Sequence, residues 1–191
     1  MENTTKKYSI KIPSNTTVIY CEKKKIITLI GPLKQKSLKL KVKIAIMEIE
    51  RVLKVSALPF SEISNNERKK IKAVQGTTLA LIKQLLIETS AVLYQKLQFV
   101  GVGYRAFQVD NFENKLLLFK LGYSHPLYFK VSDKLQIFCL KLTKLFIFGH
   151  SYQSVNQTSA LIRSYKKPEP YKGKGILYVN EKIKLKEGKK V

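Results

Sequence analysis

The sequence has few of the residues from which catalytic centres and disulfide frameworks are built. Its two cysteines, Cys21 and Cys139, lie far apart and lack the spacing of metal ligands or of a disulfide pattern. Its two histidines, His125 and His150, are 25 residues apart, and neither has another histidine or an acid pair at catalytic spacing. We therefore expect no enzyme, no metal site, no cofactor and no small-molecule substrate. Unpaired thiols are also typical of a reducing compartment.

Long apolar runs are missing as well. No uninterrupted run approaches the roughly 20 apolar residues that span a bilayer, so we expect no membrane partner. The first residues, 1–8, contain neither an apolar signal core nor an arginine-rich presequence pattern. From this pattern we expect either a protein that works where it is made or one whose targeting signal these residues do not show.

Acidic residues and arginine are scarce. There are 13 Asp and Glu against 36 Lys and Arg, which gives a formal charge of +23 and a pI near 10.0. Such self-repulsion favours a polyanionic partner, and nucleic acid is the leading class. Almost all the cations are lysine, so reading of bases by many arginines is not expected. The bias toward Lys, Ile, Asn, Phe and Tyr indicates an A+T-rich coding genome.

The hydrophobic fraction of 45% is that of a folded protein with a basic exterior. In each half of the chain, β-prone runs broken by turn residues precede a stretch with apolar residues at helical spacing. This order predicts an α+β fold of two similar small domains in tandem, residues 1–93 and 94–191. Each domain is expected to be an antiparallel sheet covered by one helix.

In the first half, residues 38–44 alternate apolar side chains with lysines and predict a strand whose lysine face either is solvated or contacts RNA. Residues 47–58 continue the extended pattern, and the polar residues 61–70 predict a loop. We place the start of the first helix near Gly76 and Thr77, because glycine is unfavourable inside a helix. That start is either a phosphate seat or an ordinary helix entry.

In the second half, residues 96–107 have a strand pattern. Gly101 and Gly103 inside it predict a bulge, a bend or the close approach of another backbone. Ser151 is suited to cap the second helix, and Arg163 lies in its last turn.

A basic stretch at residues 165–176 follows that helix at once. Pro168 and Pro170 disfavour helix before them and predict an extended, exposed loop. The four lysines of the loop can neutralise phosphates, its two tyrosines offer ring faces to unpaired bases, and its two glycines let backbone approach a ligand. Taken alone, the stretch is equally consistent with a solvated basic loop.

Three ordered motifs and a tail are the most specific features of the chain. They are LQFVGVGYRA at 97–106, LGYSHP at 121–126, PEPYKGKGI at 168–176 and KEGKK at 186–190. Together they resemble the large-subunit ribosomal protein six family in its bacterial and organellar form. The likeness is dense from Lys96 onward and thinner but continuous before it. It implies two similar α+β domains, no catalysis, and binding of large-subunit ribosomal RNA near the sarcin-ricin loop.

That resemblance implies large-subunit ribosomal RNA and neighbouring ribosomal proteins as partners, with translation factors nearby. The candidate RNA-binding residues come from the basic loop and its flanks, the second motif, the helix entry and the tail. They are Arg163, Lys166, Lys167, Tyr171, Lys172, Gly173, Lys174, Gly175, Ser124, His125, Gly76, Thr77, Lys186, Lys189 and Lys190.

The charge also fits a second class, a basic DNA-binding or nucleoid-packaging protein. Such a protein more typically has a recognition helix rich in Arg, Asn or Gln, or a repetitive lysine tail. For the compartment, the coding bias and the absence of a presequence pattern favour a mitochondrion that encodes its own copy. A plastid and the bacterial cytoplasm are the alternatives.

Overall fold

The structure is a computed structural model that describes residues 8–60, 65–109 and 115–188, with side chains 65–69 left out of the description. The chain divides into two compact units, with the boundary between Ala91 and Val92. The predicted α+β class is confirmed: every strand pair formed by the described residues is antiparallel, and each unit has a long helix packed on its strands.

The first unit contains two three-stranded sheets and one helix. Strands β2, β3 and β4 form one sheet, and β1, β6 and β5 form the other in that order. The helix, α1, contacts strands of both sheets. The elements are β1 (Ser9–Lys11), β2 (Thr17–Cys21), β3 (Ile26–Ile30), β4 (Gln35–Lys39), β5 (Val42–Met47), β6 (Val52–Pro59) and α1 (Asn65–Ser90).

The core of this unit comes from the strand alternation and from one face of α1. Ile27 and Leu29 on β3, Leu53 on β6 and Ile82 on α1 are completely buried. Each such side chain contributes about 1.5–3 kcal/mol relative to its exposed state. Gly31 brings the end of β3 against the end of α1, because a Cβ there would lie 2.4 Å from the carbonyl oxygen of Thr89.

The second unit has a four-stranded sheet in the order β11, β12, β7, β13 and a three-stranded sheet in the order β10, β9, β8. Its helix, α2, packs on β7, β12 and β13. The elements are β7 (Leu93–Val100), β8 (Arg105–Gln108), β9 (Leu116–Lys120), β10 (Leu127–Lys130), β11 (Leu135–Lys141), β12 (Lys144–Gly149), α2 (Tyr152–Ser164) and β13 (Gly175–Tyr178).

Helix α2 begins after Ser151, as the sequence predicts, although the Ser151 side chain makes no capping hydrogen bond. Val155, Ser159 and Ile162 are its buried residues. They lie against a core of strand residues that includes Leu97, Leu145 and Ile147. This packing covers one face of the four-stranded sheet.

The predicted start of the first helix near Gly76 is wrong. Helix α1 runs from Asn65, so Gly76 lies in its interior, and residues 65–70 are helical rather than a loop. Residues 61–64 of that predicted loop lie outside the described residues. Glycine costs a helix only about 1 kcal/mol. Contacts of the residues before and after Gly76 outweigh this cost. Gln75 is buried and donates to the carbonyl oxygen of Val55 at 2.6 Å, and Thr78 is also buried.

Two stretches that were predicted to be continuously extended each contain a turn between two strands. Residues 47–58 contain a turn at 48–51, where Arg51 has a φ of 50°, so that β5 and β6 form a hairpin. Likewise, β7 ends at Val100, and Gly101 and Gly103 lie in the turn before β8 rather than inside one strand. Gly103 has a φ of +76°, which glycine adopts readily.

The lysine face predicted for residues 38–44 is also interrupted. Strand β4 ends at Lys39 and β5 begins at Val42, so the three lysines do not share one strand. Lys43 pairs with Glu22, with 2.8 Å between Nζ and Oε1. Hydrogen bonding to that carboxylate raises the pKa of Lys43.

Candidate nucleic-acid interface

The basic loop is a closed turn rather than an extended strip. The backbone N–H of Glu169 donates to the carbonyl oxygen of Lys174, and the N–H of Gly173 donates to the carbonyl oxygen of Glu169, both at 2.9 Å. Gly173 has a φ of +67°, a conformation that favours glycine. Residues 169–174 therefore form a small hydrogen-bonded ring, and its tip presents Tyr171 and Lys172, both exposed.

The second glycine of the loop closes it at the base. Gly175 is buried, and a Cβ at this position would lie 2.6 Å from Cα of Pro168. Gly175 therefore allows the close approach of the loop's own backbone. The next residue, Ile176, donates its N–H to the carbonyl oxygen of Lys166 at 2.9 Å, which ties both ends of the loop together.

The segment after β13 packs on this loop. The N–H of Lys186 donates to the carbonyl oxygen of Pro170 at 2.9 Å. A Cβ on Gly173 would lie 3.3 Å from a methyl group of Leu185. Lys182, like Lys186, is exposed, so the segment adds cations beside the loop. The other two predicted tail residues, Lys189 and Lys190, lie outside the described residues.

A second loop, at residues 122–126, joins the basic loop through Tyr123. The hydroxyl of Tyr123 donates to the carbonyl oxygen of Tyr165 at 3.0 Å. The ammonium of Lys166 lies 4.3 Å from the centre of the Tyr123 ring, and the ring centre of His125 is 5.9 Å from it at an interplanar angle of 19°. Tyr123 therefore places the loop that contains the predicted residues Ser124 and His125 beside Lys166.

Sequence reasoning missed this role of Tyr123. The residue was inside the second motif, between Gly122 and Ser124, and a tyrosine next to a serine-histidine pair was the available signal. Nothing in the sequence indicated which distant backbone group would accept its hydroxyl proton.

Arg163 occupies a different position from the loop lysines. Its guanidinium makes a two-point pair with the Glu181 carboxylate, one bond being Nε to Oε2 at 3.0 Å and the other Nη2 to Oε1. Glu181 also accepts the N–H of Tyr178 at 3.2 Å. Hydrogen bonding to Arg163 lowers the pKa of Glu181, and the same contact raises the pKa of Arg163. Arg163 therefore links the end of α2 to the segment after β13.

The four loop lysines, in contrast, keep their charge unpaired. Among the described residues, Lys166, Lys167, Lys172 and Lys174 form no ion pair with a carboxylate. Glu169 is exposed, and within the same ranges its carboxylate has no partner either. The hydrogen bonds of Glu169 in the loop are made by its backbone. The surface therefore combines unpaired cations with an exposed tyrosine ring.

Comparison with known proteins identifies a family whose model covers the part of the chain that contains this surface. Residues 100–179 match the model of the family described as ribosomal protein L6. A relative named large ribosomal subunit protein uL6, from Mycoplasmoides gallisepticum, is 37% identical over 182 residues, which cover 94% of this chain and 92% of the relative. The chain belongs to the ribosomal protein L6 family.

Two other relatives with that name are similar over shorter stretches. The protein from Mycoplasma capricolum is 48% identical over 124 residues, or 65% of this chain and 67% of the relative. The protein from Neisseria meningitidis serogroup C is 37% identical over 128 residues, or 67% of this chain and 70% of the relative. Membership in a family of structural ribosomal proteins confirms that this chain is not an enzyme.

The helix start on which the prediction of a phosphate seat at Gly76 and Thr77 depended is wrong in this L6-family chain. Gly76 and Thr77 are not at a free helix start, since α1 has already made several turns before them. The hydroxyl of Thr77 instead donates to the carbonyl oxygen of Val74 at 2.9 Å. The backbone N–H groups there are used inside the helix, so no phosphate seat is available.

Within residues 8–60, 65–109 and 115–188, no three His, Cys, Asp or Glu side chains are grouped so that they could hold a metal ion. In the same ranges, neither helix has the length and apolar character needed to cross a membrane.

Proposed function

We propose that this L6-family chain is a structural protein of the large ribosomal subunit that binds large-subunit ribosomal RNA through its second unit and so supports translation. The observation that carries the proposal is the joining of two sequence motifs by Tyr123 into one surface with unpaired lysines. Phosphate contacts of that kind supply most of the affinity of RNA-binding proteins and do not depend on base sequence.

Each group in the surface has a distinct proposed role. Lys167 and Lys172 are exposed and contact phosphates, as do Lys166 and Lys174 at the base of the loop. Tyr171, whose side chain is 54% exposed, offers its ring to an unpaired base.

The remaining predicted residues extend or support this surface. Ser124 and His125 extend it through the second loop, and Lys186 extends it along the tail. Arg163 is a positioning residue in this proposal, because its guanidinium is already paired with Glu181.

We further propose that the RNA lies near the sarcin-ricin loop, beside neighbouring ribosomal proteins and the docking region of translation factors. This location is what the likeness of the motifs to the family implies. The closed shape of the basic loop supports it, because a rigid basic ring suits a folded RNA with a defined backbone path.

The test is a lysine-to-RNA cross-linking map of intact large subunits, combined with sedimentation. The expected result is co-sedimentation of the chain with the large subunit and cross-links from Lys172 and Lys174 to RNA around the sarcin-ricin loop. A chain that stays at the top of the gradient while ribosomes are intact would refute the ribosomal proposal. Gel-shift competition between structured ribosomal RNA and duplex DNA addresses the DNA-binding alternative, and preference for duplex DNA would favour that class.

For the compartment, we propose the mitochondrial ribosome on the basis of the coding bias, with the bacterial cytoplasm as the alternative that the bacterial relatives support. An immunoblot of purified organelles against whole-cell lysate distinguishes the two. Absence of the chain from mitochondria would refute the first.

A further inference from the structure

The four-stranded sheet of the second unit carries a cluster of aromatic side chains on the face that α2 does not cover. Cross-strand register puts Phe148 opposite Tyr94, and Phe146 opposite both Phe138 and Lys96. These five side chains, which we name the aromatic face, belong to β11 and to the two central strands β12 and β7. Alternate residues of the same strands point the other way into the buried core.

The rings of the aromatic face form one contiguous surface. The ring centre of Phe148 lies 6.2 Å from that of Tyr94, 5.8 Å from that of Phe138 and 6.2 Å from that of Phe146. Tyr94 is 57% exposed and Phe138 is 46% exposed. An exposed aromatic cluster of this kind marks a binding surface rather than a core.

The charged residues in the four strands of this sheet are all lysines. The four strands of the sheet contain no Asp or Glu. The ammonium of Lys96 lies 5.2 Å from the ring centre of Tyr94 and 5.1 Å from that of Phe146, so a cation stands between two rings. An apolar protein partner would have to bury this ammonium without a carboxylate, and lysine is depleted from the cores of protein interfaces. A nucleotide strand can place its bases on the rings and a phosphate near Lys96.

The aromatic face is also continuous with the basic loop. Strand β13 begins at Gly175, where the loop ends, and pairs directly with β7. A strand of RNA leaving the loop would therefore reach the same sheet. Aromatic residues on the central strands of an antiparallel sheet are a recurrent means of stacking unpaired bases.

We propose that the aromatic face is a second RNA contact, which stacks unpaired bases of single-stranded RNA on Tyr94, Phe138 and Phe148. This inference rests on the proposed function, because it takes RNA as the partner of the chain. It adds a different surface and a different kind of recognition, since the basic loop contacts phosphates and the aromatic face contacts bases.

The absence of tryptophan from the chain makes this proposal directly testable. In the full chain, Tyr94→Trp introduces a single indole whose fluorescence should be quenched when a base stacks on it. The matched control is Tyr128→Trp on β10, since Tyr128 is equally exposed at 59% but belongs to the other sheet of the unit. The probes are a single-stranded oligouridylate of about ten nucleotides and a blunt RNA duplex without unpaired bases.

The expected result is quenching of the indole at position 94 by the oligouridylate, with little quenching by the duplex or at position 128. The double variant Tyr94→Ala, Phe138→Ala should bind the oligouridylate at least about 5-fold more weakly, the loss expected for one stacked base. Unquenched fluorescence at position 94, while gel shift shows that the same protein binds oligouridylate, would overturn the proposal. If the unsubstituted chain binds no RNA at all, that result would instead overturn the proposed function itself.

A photo-cross-linking residue at position 138 in assembled large subunits decides between RNA and protein as the occupant. Adducts to RNA would support the proposal. Adducts to another protein, without RNA, would overturn it and assign the aromatic face to a protein neighbour.

Discussion

Replacing Lys172 and Lys174 by glutamine should change how RNA binding depends on salt. Seven lysines in residues 164–188 have no carboxylate partner among the described residues. If about six of them meet phosphates, the plot of log affinity against log salt should have a slope of roughly −4 to −5. Removing two contacts should reduce the magnitude of that slope by about 1.4–1.8. At 0.1 M salt this amounts to about 25- to 60-fold weaker binding, and the difference should vanish near 1 M.

The assay is filter binding or fluorescence anisotropy with a large-subunit ribosomal RNA fragment at several salt concentrations. A control with the same change in net charge is Lys130→Gln, Lys134→Gln, which replaces two exposed lysines of the same unit outside the loop. The control should leave the slope nearly unchanged, because counterion release counts contacts and not total charge. Parallel salt plots for the unsubstituted chain and the Lys172→Gln, Lys174→Gln variant would refute the role of the loop.

Four further predictions concern stability and reactivity. Glu181→Gln should lower the free energy of unfolding at pH 7 by about 1 kcal/mol, as measured in urea, because it removes the charged partner of Arg163. The pKa of Glu181 in the folded protein is lowered below 4.5, so its contribution to stability is present above that pH and is lost as the pH falls through the folded pKa. The stabilities of the two proteins should therefore converge in acid. A difference in unfolding free energy that stays unchanged at low pH would contradict this. Gly76→Ala should stabilise the protein by about 0.5–1 kcal/mol and leave RNA binding intact, because a Cβ there has no neighbour within 4 Å. Gly175→Ala, by contrast, should destabilise the protein and weaken RNA binding, since its Cβ would clash with the loop backbone; equal melting temperatures for the two alanine variants would rule out this account of the loop. Burial raises the pKa of Cys139 to about 11, so only about a thousandth of this thiol is ionised at pH 8. Mass spectrometry should therefore show that iodoacetamide alkylates Cys139 very slowly at that pH.

The outline of the fold could be predicted because it depends on local pattern. Alternating residues such as Ile27 and Leu29 indicate a half-buried strand, and the spacing of Val155, Ser159 and Ile162 indicates the buried face of a helix. These signals reside in neighbouring residues and are independent of what packs on them. The α+β class follows from their order along the chain.

The errors arose where distant contacts override local preference. Gly76 appeared to mark a helix start, but Gln75 beside it is held by a hydrogen bond to Val55, on a strand 20 residues away. Arg163 was predicted to contact RNA, and its pairing with Glu181 depends on the return of the chain 18 residues later. Neither contact is visible in local spacing.

The same limit applies to the candidate site. The sequence indicated the basic loop and the serine-histidine motif, but it did not indicate that the Tyr123 hydroxyl would reach the backbone of Tyr165. It also concealed the aromatic face, because Tyr94, Phe138 and Phe148 are separated by many residues and meet only through strand register.

The hydrogen bond between Lys186 and Pro170, with the packing of Leu185 on Gly173, has a consequence for ribosome assembly. A loop already held in shape by its own chain loses little conformational entropy when it meets a ligand. Under the proposed function, the loop is preorganised for RNA, and most of the ordering on contact takes place in the RNA. Removing residues 182–191 would take away this bond and the Leu185 contact but leave the hydrogen bonds within residues 169–174, so only part of the ordering cost would return to the loop.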